Sequence, residues 1–159
     1  MADQFLPPPV NVRPYSPEDR ATVLDLAGRL LIGVAPWLNP DIVLSVVRGS
    51  IESAVAAIGP DHTLLVAASD DGCVGFVTVE RQQHWAGITQ AYIGELVVAE
   101  TAEGTGAGRA LLAAAEDWAR ARGCATVALD TGAANLRARG FYQHLGYVEE
   151  SLRLVKPLT

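Results

Sequence analysis

Apolar positions along the chain change period more than once, and the changes mark out its elements. After Ser16-Pro17-Glu18-Asp19, an N-cap followed by a first-turn proline and two acidic residues, Val23, Leu24, Ala27, Leu30 and Leu31 recur at helical spacing. A short strand is expected just before this start, around Val10–Arg13. A second start, Asn39-Pro40-Asp41, leads into Val43, Val47, Ile51, Ala54 and Ile58 on one face, with Gly49-Ser50 expected to break that helix in two. The period then shortens. His62–Ser69 and Cys73–Arg81 are β-rich runs on either side of the turn Asp70-Asp71-Gly72, and a third run follows over Ile88–Val98. Joined by short links, these three strands should pair antiparallel. A helix over Gly108–Arg122 turns Leu111, Leu112, Ala115, Trp118 and Ala119 inward and stops at Gly123. A strand (Ala125–Leu129), a short helix (Asn135–Leu145, ended by Gly146) and a last strand within Tyr147–Leu158 complete the order β-α-α-β-β-β-α-β-α-β. Such an order describes an α/β protein with helices packed on a mixed sheet.

Residues 1–159 read as one domain, with no internal repeat or Ser/Gly linker and with the Pro-rich residues 1–9 as a loose tail. A chain of this length can bury roughly 70% of its unfolded surface. Half of the residues are apolar and 19% charged, which excludes a disordered chain. No apolar run reaches the ~20 residues of a membrane span, and the N-terminus lacks the pattern of a secretory leader, so a cytoplasmic protein is expected. Cys73 and Cys124 suit reduced thiols, and His62, His84 and His144 share no metal-ligand spacing, so neither a disulfide framework nor a metal is expected. The net charge of −6 argues against nucleic acid as a partner. Its distribution says more: residues 1–90 hold 5 basic against 10 acidic side chains, residues 91–159 hold 7 against 8.

The most specific motif is Glu103-Gly104-Thr105-Gly106-Ala107-Gly108-Arg109, set between a strand and a helix. Alternating glycines let backbone N–H groups approach an anion with no Cβ in the way, and the helix points its positive end at them. The spacing matches neither the Walker A loop, which needs Lys-Ser/Thr after its last glycine, nor the Rossmann fingerprint, whose third glycine would fall on Arg109.

Glu95-Leu96-Val97-Val98, this loop, and Asn135-x-x-Ala138-x-x-Phe141-Tyr142-x-x-Leu145-Gly146-Tyr147 together resemble the GNAT superfamily of acyl-CoA-dependent N-acetyltransferases. The motifs cover about residues 92–158. The family loop begins with Arg or Gln where this chain has Glu103, a carboxylate expected to repel phosphates and to weaken cofactor binding, with Arg109 as a compensating charge. The resemblance implies a GNAT fold, a mixed and mostly antiparallel sheet of about six to seven strands flanked by about four helices.

It also implies acetyl-CoA as cosubstrate. The backbone of Leu96, Val97 and Val98 would pair with the pantetheine arm, and one N–H, that of Val98, would polarise the thioester carbonyl. Gly104, Thr105, Gly106, Ala107, Gly108 and Arg109 would hold the pyrophosphate, and Asn135 would bond the pantetheine arm or, on its own spacing, cap a helix. Tyr142 matches the family tyrosine near the thioester sulfur and is a candidate general acid; the alternative is a half-buried packing residue. Glu95 and Asp130 are candidate bases, either of which could be an ordinary strand-end charge, with water or His84 as the other options. Trp37 and His84-Trp85 fall in loops bordering the acceptor groove, where packing is the simpler role.

The acceptor is expected to be a small cationic primary amine that attacks the thioester directly. A protein or peptide N-terminal acetyltransferase and a non-catalytic acyl-CoA-binding module are the alternatives, and self-association into a homodimer stays open.

Overall fold

A computed structural model of the protein describes residues 9–158. The tail expected at residues 1–9 therefore lies, apart from Pro9, outside the described residues. Five strands form one sheet in sequence order: β1 (Asn11–Pro14), β2 (His62–Ser69), β3 (Gly72–Gln83), β4 (Thr89–Val98) and β5 (Thr126–Leu129). β1 to β4 pair antiparallel and β5 joins β4 in parallel, so the sheet is mixed. Four α-helices accompany it: α1 (Arg20–Leu26), α2 (Pro40–Ala56), α3 (Ala107–Ala121) and α4 (Leu136–His144), with short 3₁₀ turns flanking α1.

The two faces of the sheet carry two cores. Leu64, Val66, Phe76 and Val97 meet Val23 and Ala27 of the α1 region and Ile51 of α2. Ala67, Val77, Val79, Ala91 and Ile93 meet Leu111, Leu112, Ala115 and Ala119 of α3. Alternate residues of each strand divide between the faces, as the strand period requires. Local chemistry sets the helix ends. Asn39 Oδ1 accepts from the Asp41 and Ile42 amides at 2.9 and 3.2 Å. α3 ends where Gly123 takes φ +68° and the Cys124 amide reaches back to the Ala119 carbonyl. Ahead of α1, Asp19 is buried and receives both Arg13 guanidinium nitrogens at 2.7 and 2.8 Å, and the Ser16 amide as well. The pair holds the Asp19 carboxyl below its ordinary range.

Two expectations are corrected. The sheet has five strands among the described residues, not six to seven, because Tyr147–Leu158 forms no strand. Val148, Leu154 and Leu158 there are 87%, 85% and 89% exposed, so the segment has no buried face to fix a register against β5. α2 also runs unbroken through Gly49-Ser50, where the Ser53 hydroxyl bonds the Gly49 carbonyl within the helix.

Candidate active site

β4 controls the geometry of the site through two irregularities. The first is a bulge. Val77 pairs with Leu96 and Val79 with Ile93, so Thr78 alone faces both Gly94 and Glu95. One extra residue reverses the facing of everything beyond it. Ala91 and Ile93 face α3, whereas Val97 faces α1 and α2, and Glu95 turns with it. Gly94 permits the bulge, since a Cβ there would lie 2.9 Å from Thr78 Oγ1. Thr78 closes it, accepting the Glu95 amide at 2.9 Å while its hydroxyl donates to the Glu95 carboxylate.

Glu95 is consequently buried, with 7% of its surface exposed, on the floor of a cleft of about 270 Å³ between α2 and strands β2–β4. His62, Glu80 and Tyr92 share its wall. His62 Nε2 lies 3.2 Å from Glu80, and the Tyr92 hydroxyl donates to Asp130 at 2.7 Å. Burial, that hydrogen bond, and the charges of Asp130, Glu95 and Glu80 all raise the Tyr92 phenol above its ordinary value. Of the two candidate carboxylates, Asp130 thus holds Tyr92 directly, while Glu95 shares the cleft wall with it and acts on it through its charge.

The second irregularity is a split. Pairing of β4 with β5 runs from Gln90↔Thr126 to Ile93↔Leu129 and stops. Residues 94–98 have no strand partner on that side among the described residues, which leaves the backbone of Leu96, Val97 and Val98 open there. Val98 lines the split together with α3 and α4: a Cβ on Gly108 would lie 3.4 Å from the Phe141 ring and 3.6 Å from Val98 Cγ2. Tyr142 follows Phe141, its ring 5.3 Å from that of Phe141 and 5.8 Å from that of Tyr147. Desolvation pushes the Tyr142 phenol up to about 12. Its hydroxyl has no hydrogen-bond partner among the described residues.

Beyond the split lies the glycine loop. Gly104 and Gly106 adopt φ +74° and +88°, Gly106 opens α3, and a Cβ on either would meet open space. The Gly104 and Gly106 amides find no acceptor among the described residues. The first amides of α3, from Ala107, Gly108 and Arg109, are free by helix geometry. Such a concave set of unpaired donors at a helix start fits a pyrophosphate. Arg109 is exposed and Thr105 bonds back to the Ala102 carbonyl at 2.6 Å. Asn135 does cap α4, accepting the Ala138 amide at 3.2 Å, and Gly33 packs directly against it.

A family comparison decides what this arrangement belongs to. The acetyltransferase (GNAT) family matches residues 35–147. The chain belongs to the GNAT family. Its residues are 31% identical over 140 positions to an aminoglycoside N(6')-acetyltransferase type 1 of Stenotrophomonas maltophilia, covering 86% of this chain and 88% of that protein. Among solved structures it superposes on an aminoglycoside N-acetyltransferase in complex with CoA, with a TM-score of 0.70, 19% identity and 96% of each chain covered. It also superposes on glucosamine-6-phosphate N-acetyltransferase from Arabidopsis thaliana, with a TM-score of 0.68, 17% identity, and 95% and 99% of the two chains covered.

In this GNAT acetyltransferase the predicted site residues fall into two groups. Glu95 lines the cleft and Asp130 is tied to it through Tyr92, while Leu96–Val98, Gly104–Arg109, Asn135 and Tyr142 surround the split and the loop. Trp37 and Trp85 are 54% and 92% exposed rather than packed, and neither lines the cleft. Thr78, Glu80, His62 and Tyr92 escape sequence reading. Gly94 inside a strand pattern is the one signal that could have found them, because it marks the bulge that turns Glu95 toward Tyr92. No helix of the described residues is long and apolar enough to cross a membrane, and none of their His, Cys, Asp and Glu side chains gather in a group of three or more able to hold a metal.

The loop makes a direct prediction. Gly106→Val forces a β-branched residue to φ +88° and puts methyl groups where the cradle opens. CoA binding is expected to weaken tenfold or more, about 1.4 kcal/mol. Calorimetry giving equal affinity for both forms would remove the loop from the cofactor site.

Proposed function

We propose that the protein transfers the acetyl group of acetyl-CoA to a primary amine bearing more than one positive charge, of the aminoglycoside or polyamine kind. The observation that carries this reading is the cleft itself, floored by Glu95 with Glu80 beside it and Asp130 across Tyr92. Carboxylates in a partly desolvated cleft raise the local concentration of a cationic ligand, and the likeness to aminoglycoside acetyltransferases supports the same acceptor class.

The residues divide the work. Amides of Gly104 to Arg109 hold the pyrophosphate of the cosubstrate, the open backbone of Leu96–Val98 pairs with its pantetheine arm, and Asn135, while capping α4, bonds the same arm. The Val98 N–H polarises the thioester carbonyl. Glu95 takes a proton from the ammonium, directly or through water, and the free amine then attacks the thioester carbonyl. As the C–S bond breaks, the thiolate leaves with a hydrogen bond from Tyr142, and the proton lost by the amide nitrogen passes through water to the thiolate or to solvent. Asp130, held by Tyr92, serves to attract the acceptor more than to deprotonate it.

The test is kcat/KM for matched amines of charge 0, +1 and +2 at low and high salt, read by thiol release. The doubly charged amine should be preferred several-fold, and salt should erode that preference. A neutral or anionic acceptor taken equally well removes the charge argument. An absence of thiol release with every amine, aminoglycosides and peptides included, removes the enzyme.

A further inference from the structure

Glu103 stands where a family member would carry Arg or Gln, yet it does not stand as a free negative charge. Its carboxylate receives Arg29, from the 3₁₀ turn after α1, and Arg137, from the first turn of α4, the latter at 2.7 Å. These arginines are 74 and 34 residues away along the chain. They converge on the residue that immediately precedes Gly104 and its unpaired amides. Arg137 is 75% exposed and ties itself to no other carboxylate among the described residues. Arg29 is only 26% exposed and also approaches Glu100, at 3.8 Å. A carboxylate holding two guanidinium groups beside an anion cradle presents to them the charge and the paired acceptor oxygens that a phosphate would present.

From this geometry we propose that Glu103 is a placeholder for cofactor phosphate, and that Arg29 and Arg137 are the cationic phosphate ligands of this chain. The inference rests on the reading that the loop binds CoA. In the free protein Glu103 keeps the two guanidinium groups gathered and neutralised beside the loop. On binding, a phosphate of the cofactor, either in the pyrophosphate or on the 3′ position, takes over their hydrogen bonds, and the carboxylate yields to solvent. The basic side chain absent from position 103 is thereby supplied from two other elements. The loop also becomes selective, because a ligand without phosphate cannot displace Glu103.

Calorimetry with CoA, 3′-dephospho-CoA and acetyl-pantetheine, at low and high salt, tests this without reference to turnover. Arg137→Gln, on an exposed side chain that the fold does not need, should weaken CoA about tenfold, the loss expected for one charge-assisted contact. It should leave acetyl-pantetheine within about twofold. If 3′-dephospho-CoA shows the same loss, the contact is to the pyrophosphate; if its loss disappears, the contact is to the 3′-phosphate. Glu103→Gln should tighten CoA several-fold and steepen its salt dependence, since it removes the competing charge. Equal losses for CoA and acetyl-pantetheine in Arg137→Gln would overturn the proposal. So would weaker CoA binding in Glu103→Gln with an unchanged melting temperature, because Glu103 would then be a support and not a competitor. Failure of the unaltered protein to bind CoA at all would instead remove the reading beneath it.

Discussion

Tyr142→Phe is expected to lower kcat about 10²-fold while leaving the acetyl-CoA KM within about twofold. The substitution deletes one oxygen and keeps the ring that packs against Phe141 and Tyr147 and closes the α3 face of the core, so the melting temperature should hardly move. On the proposed mechanism, what is lost is the donor to the departing sulfur. Burial pushes this phenol up to about 12, which has two consequences. The hydroxyl stays protonated from pH 7 to 10, so the ratio of wild-type to variant rates should be flat across that range. Complete proton transfer to a thiolate with a reference pKa of about 8.5 would run uphill by about 5 kcal/mol, which on the proposed mechanism favours hydrogen-bond donation to the sulfur over full proton transfer. An unchanged kcat in single-turnover measurements, where chemistry is isolated from product release, would return Tyr142 to packing. A ratio that collapses between pH 8 and 10 would show a phenol titrating far below the buried value.

The parts of the fold legible in the sequence are those fixed by neighbours along the chain. The Asp70-Asp71-Gly72 turn rests on Gly72 at φ +101°, the stop after α3 on Gly123, and the starts of α2 and α4 on asparagine caps, all of them local chemistry. Strand β2 appears with the boundaries its pattern predicts for the same reason. The glycine loop is legible because its requirement, backbone without Cβ, is written in residue types. What lies across the fold is not. A period-two reading of β4 places Tyr92 and Glu95 on opposite faces, and only the bulge against Thr78 brings them to one cleft. Glu103 reads as a repulsive charge until Arg29 and Arg137 arrive from two other elements to neutralise it. The last strand fails in the opposite sense: its residues have the composition of a strand, but the described structure gives them no buried face to pair on.

The second large effect is expected at Glu95. An alkyl ammonium with pKa near 10.4 is neutral in only about 1 part in 2,500 at pH 7, so a base in the cleft has about 4.6 kcal/mol of unfavourable ionisation to work against. Glu95→Gln preserves size, and its carbonyl oxygen can still accept from Thr78, while the bond that closes the bulge, from the Glu95 amide to Thr78 Oγ1, does not involve the Glu95 side chain. The cleft should therefore keep its shape. With no carboxylate to take the proton, kcat/KM should fall about 10²-fold at pH 7. The variant then depends on amine that arrives already neutral, and its rate should climb close to tenfold per pH unit until the amine itself has titrated. The wild-type profile over the same range should be flatter, so the two curves converge near pH 9. A purely electrostatic role for Glu95 predicts something else, a loss that follows the charge of the acceptor and is the same at every pH. Asp130→Asn provides the contrast, because Asp130 is exposed and already engaged by Tyr92; its loss should stay below tenfold and show no such convergence. If instead Asp130→Asn carries the pH-dependent loss and Glu95→Gln does not, the proton leaves through the Tyr92–Asp130 side of the cleft, and the Glu95 side chain serves only as an acceptor for Thr78.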